Sequence, residues 1–274
     1  MLKLPQVTLV CVDTRTPELA LDAMRRCMAL CEFGDAILFT APDQNISDLP
    51  IGVRLKIVLH INSVEAYSHF LLKEMGAEIH TSHHLIVQWD GYVIDPAMWR
   101  DAFLSFDYIG AVWPQYHDAH RVGNGGFSLR SRKLLDAMAA PDFKASHPED
   151  ECIARIHRPM LEQRFGIRFA DEALAHQFAF ERSRETLSSF GFHGLSNLPD
   201  VMRRDELVSF IEEAPPALFA GVETRRLIKK LLALEMADTA LLALEKRKAS
   251  GKGELFADLR LRARIALARL GNRT

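Results

Sequence analysis

The sequence predicts an α/β fold: a mostly parallel, Rossmann-like sheet flanked by helices, followed by an α-helical carboxyl-terminal extension. Three observations carry this expectation. The chain opens with an apolar run, a segment at helical spacing and a second apolar run, which reads as β-α-β with a right-handed crossover. The apolar runs show no polar alternation, as expected of strands buried on both faces. From Asp205 onward the chain reads as helices, with apolar residues at helical spacing.

Taken in order, Gln6 to Val12 is β-branched and apolar without a break and ends in Asp13-Thr14-Arg15. Thr16-Pro17-Glu18 starts a helix through Phe33, with Pro in the first turn and an acid near the positive end of the dipole. Ala36 to Phe39 and Leu55 to Ile61 are the next strands. A helix from Ser63 to Met75 stops at Gly76. Leu85-Ile86-Val87 leads a further strand into Gln88-Trp89-Asp90-Gly91, so one carboxylate stands at a turn beyond the carboxyl end of a buried strand. That edge of an open sheet is where ligands bind. There Asp90 is either a turn residue or a hard oxygen ligand for a divalent cation.

Asp95-Pro96 starts a short segment to Phe103, and Phe106 to Trp113 reads as another strand. A polar loop, Pro114 to Arg121, passes into Val122 to Arg130, whose Asn124-Gly125-Gly126 stretch lets backbone approach a ligand closely. Its spacing matches neither the P-loop nor the dinucleotide fingerprint. A helix follows over Ser131 to Ala139. Glu149, Asp150 and Glu151 precede a helix from Cys152 to Phe165, either offsetting its dipole or supplying a general base. His193 lies in the aromatic and glycine cassette Phe190 to Gly194, where a neutral imidazole suits a metal.

Composition narrows the field. With 274 residues, 48% hydrophobic and 26% charged, the chain holds one sizeable core plus an accessory unit. No apolar run approaches the roughly 18 residues of a membrane span, and Met1 to Pro5 lacks a signal core, so a cytoplasmic location is expected. The four cysteines suggest no disulfide framework, and Cys27 and Cys31 read as small buried groups. His80, His83 and His84 read as a solvated turn, since no further ligand lies at zinc spacing. Residues 221–274 carry 13 basic against 6 acidic residues, whereas the remainder carries 21 against 30. Such asymmetry marks a boundary between units. We place it between 1–204, a catalytic domain, and 205–274, a basic helical unit. Leu218-Phe219-Ala220 recurs as Leu255-Phe256-Ala257, an offset of 37 residues that is near the ~34 of tetratricopeptide hairpins. Arg260, Arg262, Arg264 and Arg269 beside Leu259, Leu261, Ile265 and Leu267 suggest a basic amphipathic helix, either solvated or in contact with an anionic inner-membrane leaflet.

The ordered set Val87-Gln88-Trp89-Asp90-Gly91, Gly123-Asn124-Gly125-Gly126-Phe127-Ser128-Leu129-Arg130, Pro148-Glu149-Asp150 and Phe190-Gly191-Phe192-His193-Gly194 resembles a GT-A-fold glycosyltransferase. More narrowly, it resembles a bacterial family of uncharacterised domains to which glycosyltransferase activity is ascribed. The similarity covers approximately residues 5 to 200. It implies Mn²⁺ or Mg²⁺ held by Asp90 and His193, with Gln88 standing where such enzymes usually carry a first acid. It further implies Asp150 as the base that takes the acceptor proton, with Glu149 orienting the acceptor. Donor binding would fall to Asp13, Thr14, Arg15, Tyr67, Ser68, Gln88, Trp89, Asn124, Gly125 and Gly126. The expected activity is inverting transfer from a nucleotide-sugar, a UDP-sugar foremost, to a glycan or lipid-linked acceptor in cell-surface polysaccharide or lipopolysaccharide synthesis. No nucleic-acid partner is expected. A non-catalytic sugar-nucleotide or glycan-binding module with a partner-recruiting tail is the alternative, favoured by the missing acid at Gln88. A nucleotidyltransferase would leave Phe192-His193-Gly194 without a purpose.

Overall fold

In the computed structural model, residues 1–44, 46, 48–59, 61–183, 188–251 and 255–271 are described. The chain forms two compact units, Met1–His193 and Gly194–Thr274. The sequence-based boundary at 204/205 falls inside the second.

The first unit is built on β1 (Leu2–Val12), α1 (Pro17–Leu30), β2 (Cys31–Thr40), β3 (Val53–Ile57), α2 (Val64–His69), β4 (His83–Val87), β5 (Tyr108–Gly110) and β6 (Ser128–Ser131). It continues with α3 (Arg132–Met138), α4 (Glu149–Glu151), α5 (Arg158–Phe165), α6 (Glu172–Phe178), β7 (Ala179–Phe180) and β8 (Gly191–Phe192). Six strands form one sheet in the order β3-β2-β1-β4-β6-β5. β1 runs parallel to β2 and β4, and β6 is antiparallel to β4 and β5. This is the mixed, mostly parallel α/β sheet with flanking helices that the sequence predicted. Val10, Ile37 and Ile86 lie fully buried at its centre.

Several boundaries differ, each for a local reason. β1 and β2 start earlier than expected because Gly34 lets the two strands close up: a Cβ there would sit 2.0 Å from the Pro5 carbonyl oxygen. β3 stops at Ile57, short of the expected Ile61, and His60 lies outside the described residues. It is the edge strand, with Leu55 and Ile57 facing outward. The helix expected over 63–75 is α-helical only to His69 and continues as a π turn, Phe70–Glu74, then a 3₁₀ turn, Met75–Glu78. His83 and His84 are not a solvated turn. They open β4 between β1 and β6 and are buried there, and the surrounding apolar core keeps His84 well below the ordinary histidine range. The tail of the glycine-rich loop, Ser128 to Ser131, is strand β6, and Ser131 caps α3 by accepting from the Leu134 amide. The stretch expected as one helix over 152–165 is a π turn, Cys152–Ile156, and then α5.

The second unit comprises α7 (Leu198–Val201), α8 (Arg204–Glu213), α9 (Glu223–Ala233), α10 (Ala237–Ala249) and α11 (Leu255–Gly271). Leu207, Ile211, Phe219, Leu227, Leu231 and Ile265 form its interior. Arg247 is buried and donates from Nη1 to the carbonyls of Ala220 at 2.7 Å and Gly221 at 2.8 Å. The two Leu-Phe-Ala copies are not equivalent, since Phe219 is fully buried and Phe256 exposed. No helix among the described residues is long and apolar enough to cross a membrane.

Candidate active site

From β1 the chain moves to β2 and β3 on one side; from β4 the order continues through β6 and β5 on the other. The carboxyl ends of β1 and β4 therefore form a topological switch point, where an open α/β sheet leaves a crevice for a ligand. A cavity of about 190 Å³ lies there, lined by Asp13, Thr14, Arg15, Tyr67, Gln88 and Trp89 among others. Asp13 is already engaged: Oδ1 accepts the amides of Arg15 at 2.8 Å and Thr16 at 2.7 Å, and Oδ2 accepts the Thr16 hydroxyl at 2.9 Å. It thus fixes the turn from β1 into α1 at the cavity wall. Thr14 Oγ1 donates to the Ile61 carbonyl at 3.3 Å. Gln88 Nε2 donates to the Tyr67 hydroxyl at 2.9 Å, which ties α2 to the end of β4. Ser68 does not line this cavity; its hydroxyl meets His147 Nδ1 at 2.9 Å and braces the segment ahead of the acids.

Beyond Gln88, the chain turns at Trp89-Asp90, closed by paired backbone bonds between Gln88 and Gly91. The turn sets Asp90 beside His193. Nε2 of the ring is 3.0 Å from Gln88 Oε1 and 3.5 Å from Asp90 Oδ1, while Nδ1 is 3.1 Å from Asn124 Nδ2 and 3.7 Å from Glu181 Oε1. Burial disfavours the imidazolium, yet Asp90 and Glu181 outweigh it and hold the ring's pKa up at about 10. The sequence reading expected a neutral imidazole; carboxylates facing both nitrogens keep the ring protonated instead. Asp90 Oδ1 and Gln88 Oε1 are nevertheless hard oxygen donors converging on one ring nitrogen. Asp90, Gln88 and His193 would hold a divalent cation there, which would supply Lewis-acid chemistry once the ring gives up its proton.

The glycines between the two halves of the site are spacers. A Cβ on Gly126 would lie 2.2 Å from His193 Nε2, one on Gly125 2.1 Å from Glu149 Oε1, and one on Gly91 2.9 Å from His193 Cδ2. These residue types are required where motif segments press on one another. Asn124, with φ of 32°, reaches His193, and the next residue, Gly125, donates its amide to Asp150 Oδ2 at 3.2 Å. The acid pair and the imidazole therefore meet on adjacent residues of one loop.

The acids point differently. Glu149 is buried and turns inward, its Oε1 3.4 Å from Nη2 of the fully buried Arg130. Asp150 is half-buried and accepts the Gly125 and Glu151 amides. Burial, then the Glu149 charge, raise its pKa to about 6 against the pull of those amides and of Arg130. A carboxyl group that titrates there can exchange a proton near neutrality.

Sequence reasoning missed Arg130, Glu181 and Tyr108. Arg130 Nε donates to Ser128 Oγ at 3.0 Å, and its guanidinium lies 5.3 Å from the Tyr108 ring centre. An arginine inside an ordered motif was the available signal for it. Glu181 follows a two-residue strand that no periodicity reveals.

The family described as Protein of unknown function (DUF5672) matches residues 53–193, just over half of the chain. This chain belongs to that family. The DUF5672 match opens on the first residue of β3 and closes on His193, so it takes in Gln88, Asp90, the glycine loop, both acids and the imidazole. It leaves out Asp13, Thr14 and Arg15. No curated protein matches this DUF5672 member. Among solved structures, the mannosyltransferase PcManGT from Pyrobaculum calidifontis, in complex with GDP-Man and Mn²⁺, is similar at 13% identity. The similarity covers 96% of this chain and 80% of that one with a TM-score of 0.42, too slight to carry an inference about the site.

Proposed function

We propose that this DUF5672 member is a glycosyltransferase that moves a sugar from a nucleotide-sugar, a UDP-sugar foremost, to a hydroxyl of a glycan or lipid-linked acceptor with inversion. One observation carries the reading: the switch-point cavity adjoins a cluster in which Asp90 and His193 stand on one side of the glycine loop and Asp150 on the other. Nucleotide recognition falls to Thr14, Arg15, Tyr67, Gln88 and Trp89 at the cavity wall, with Asp13 holding the turn that presents them. Asp90 and His193, with Gln88 beside them, would hold the divalent cation, Mn²⁺ or Mg²⁺, which when bound supplies Lewis-acid neutralisation of the departing diphosphate. Asp150 takes the acceptor proton as the hydroxyl attacks the anomeric carbon, an effect on the order of 10²- to 10⁴-fold. Glu149, turned onto Arg130, keeps the Asp150 pKa high by its charge, while the Gly125 and Glu151 amides hold Asp150 in place. A single displacement by a hydroxyl on the face opposite the leaving group inverts the anomeric centre.

The non-catalytic binder remains the second reading, because Gln88 stands where an acid would strengthen the cation site and His193 is already held by two carboxylates. A thermal-shift screen of UDP-, GDP-, CMP- and dTDP-sugars, with and without Mn²⁺, tests the nucleotide site itself. Stabilisation by one nucleotide class, enhanced by the cation, is expected; indifference to all four contradicts the proposal.

A further inference from the structure

Helix α11 has two apolar sides. Leu261 and Ile265 are buried in the helical unit, 4% and 1% exposed. Phe256, Leu259, Leu267 and Leu270 are 80%, 52%, 69% and 63% exposed. With the exposed Ala263 they recur at steps of three or four residues, so they line one continuous stripe on the side away from Leu261 and Ile265.

Arginines border this stripe on both sides, Arg260 and Arg264 along one flank and Arg262 and Arg269 along the other. Arg262 pairs with Glu245, and Arg269 lies 2.8 Å from Asp238. Arg260 and Arg264 are exposed and have no carboxylate within ion-pair reach among the described residues. The one acid on the described helix, Asp258, is turned away to Arg247 at 3.2 Å. The outer side is thus an apolar strip between cationic rails.

We infer that the outer side of α11 is a docking surface for an anionic lipid bilayer, with Phe256, Leu259, Leu267 and Leu270 entering the acyl boundary and Arg260 and Arg264 meeting the headgroups. Charge selects this occupant. A second copy of the helix would set arginine against arginine along the same stripe, and a nucleic acid would satisfy the arginines while leaving the apolar strip in water. An anionic leaflet satisfies both at once, as interfacial helices do.

The test is co-sedimentation of the full chain with vesicles of phosphatidylcholine alone and of phosphatidylcholine mixed equally with phosphatidylglycerol. Binding is expected to the mixed vesicles, at least about tenfold weaker on the neutral ones, and weakened by salt. Arg260→Gln with Arg264→Gln should lower partitioning about 30-fold. Leu259→Gln with Leu267→Gln should lower it at least about tenfold with unchanged far-ultraviolet circular dichroism, because both side chains are already in water in the free protein. Absence of binding to mixed vesicles at low salt overturns the inference. So does binding that ignores the leucine pair, which would reduce the contact to surface charge, and so does a dimer in sedimentation that the leucine pair dissolves without any vesicle binding.

Discussion

Asp150 ionises beside a buried neighbour of the same charge, and two measurements follow from that. Its raised pKa of about 6 means the folded state binds a proton more tightly than the unfolded chain does. The residue therefore favours folding at low pH, and that contribution is lost as pH rises through about 6. Asp150→Asn should accordingly melt higher than the wild type at pH 8, by on the order of 2 kcal/mol, with the difference gone near pH 4. A variant that is no more stable at pH 8 contradicts the assigned burial. Arg130 acts on the same group. Removing its charge while keeping hydrogen-bonding atoms, as in Arg130→Gln, should move the Asp150 titration above about 6, read by carboxyl-carbon NMR of the labelled protein. It should also cost about 3–5 kcal/mol, as breaking a buried pair does. On the other side of the loop, Asp90→Asn should weaken Mn²⁺-dependent nucleotide binding in calorimetry. Equal affinity with and without the metal in both proteins would remove the cation from the account.

At the scale of elements, the site depends on a loop that has no room for side chains. Gly126→Ala puts a methyl group where His193 already lies, and overpacking of that kind costs about 1–3 kcal/mol. Thermal unfolding should show that loss, together with a weaker hold of Asp90 and Gln88 on the ring in its NMR titration. A variant as stable as the wild type would mean the cassette shifts freely. These contacts also explain what was legible in the sequence. The strands that end at Asp13 and ahead of Asp90 announced themselves, because uninterrupted apolar runs such as Leu85-Ile86-Val87, bounded by turn residues, suit a sheet covered on both faces. The glycine loop was visible as composition, but its purpose was not: which atoms press on Gly125 and Gly126 depends on Glu149 and His193, far along the chain. The α2 boundary was misplaced because a π turn keeps helical apolar spacing while changing the bonding. The two-residue strands β7 and β8, which carry Glu181 and His193 at their ends, are too short to show a period.

Across the whole molecule, the arrangement divides tasks between units of different charge. The first unit is acidic, with 25 carboxylates against 19 basic side chains, and the second is basic, with 15 basic side chains against 11 carboxylates and four of its arginines on α11. Sugar transfer by the first unit is measured as nucleoside diphosphate release from UDP- and GDP-sugars, with Mn²⁺ and an excess of hydroxyl acceptors, compared between the wild type and Asp150→Asn. Release is expected from one donor class, lowered at least about 100-fold by Asp150→Asn while donor affinity is retained. Release at an equal rate from both proteins, or binding of a donor with no release from either, would contradict this expectation.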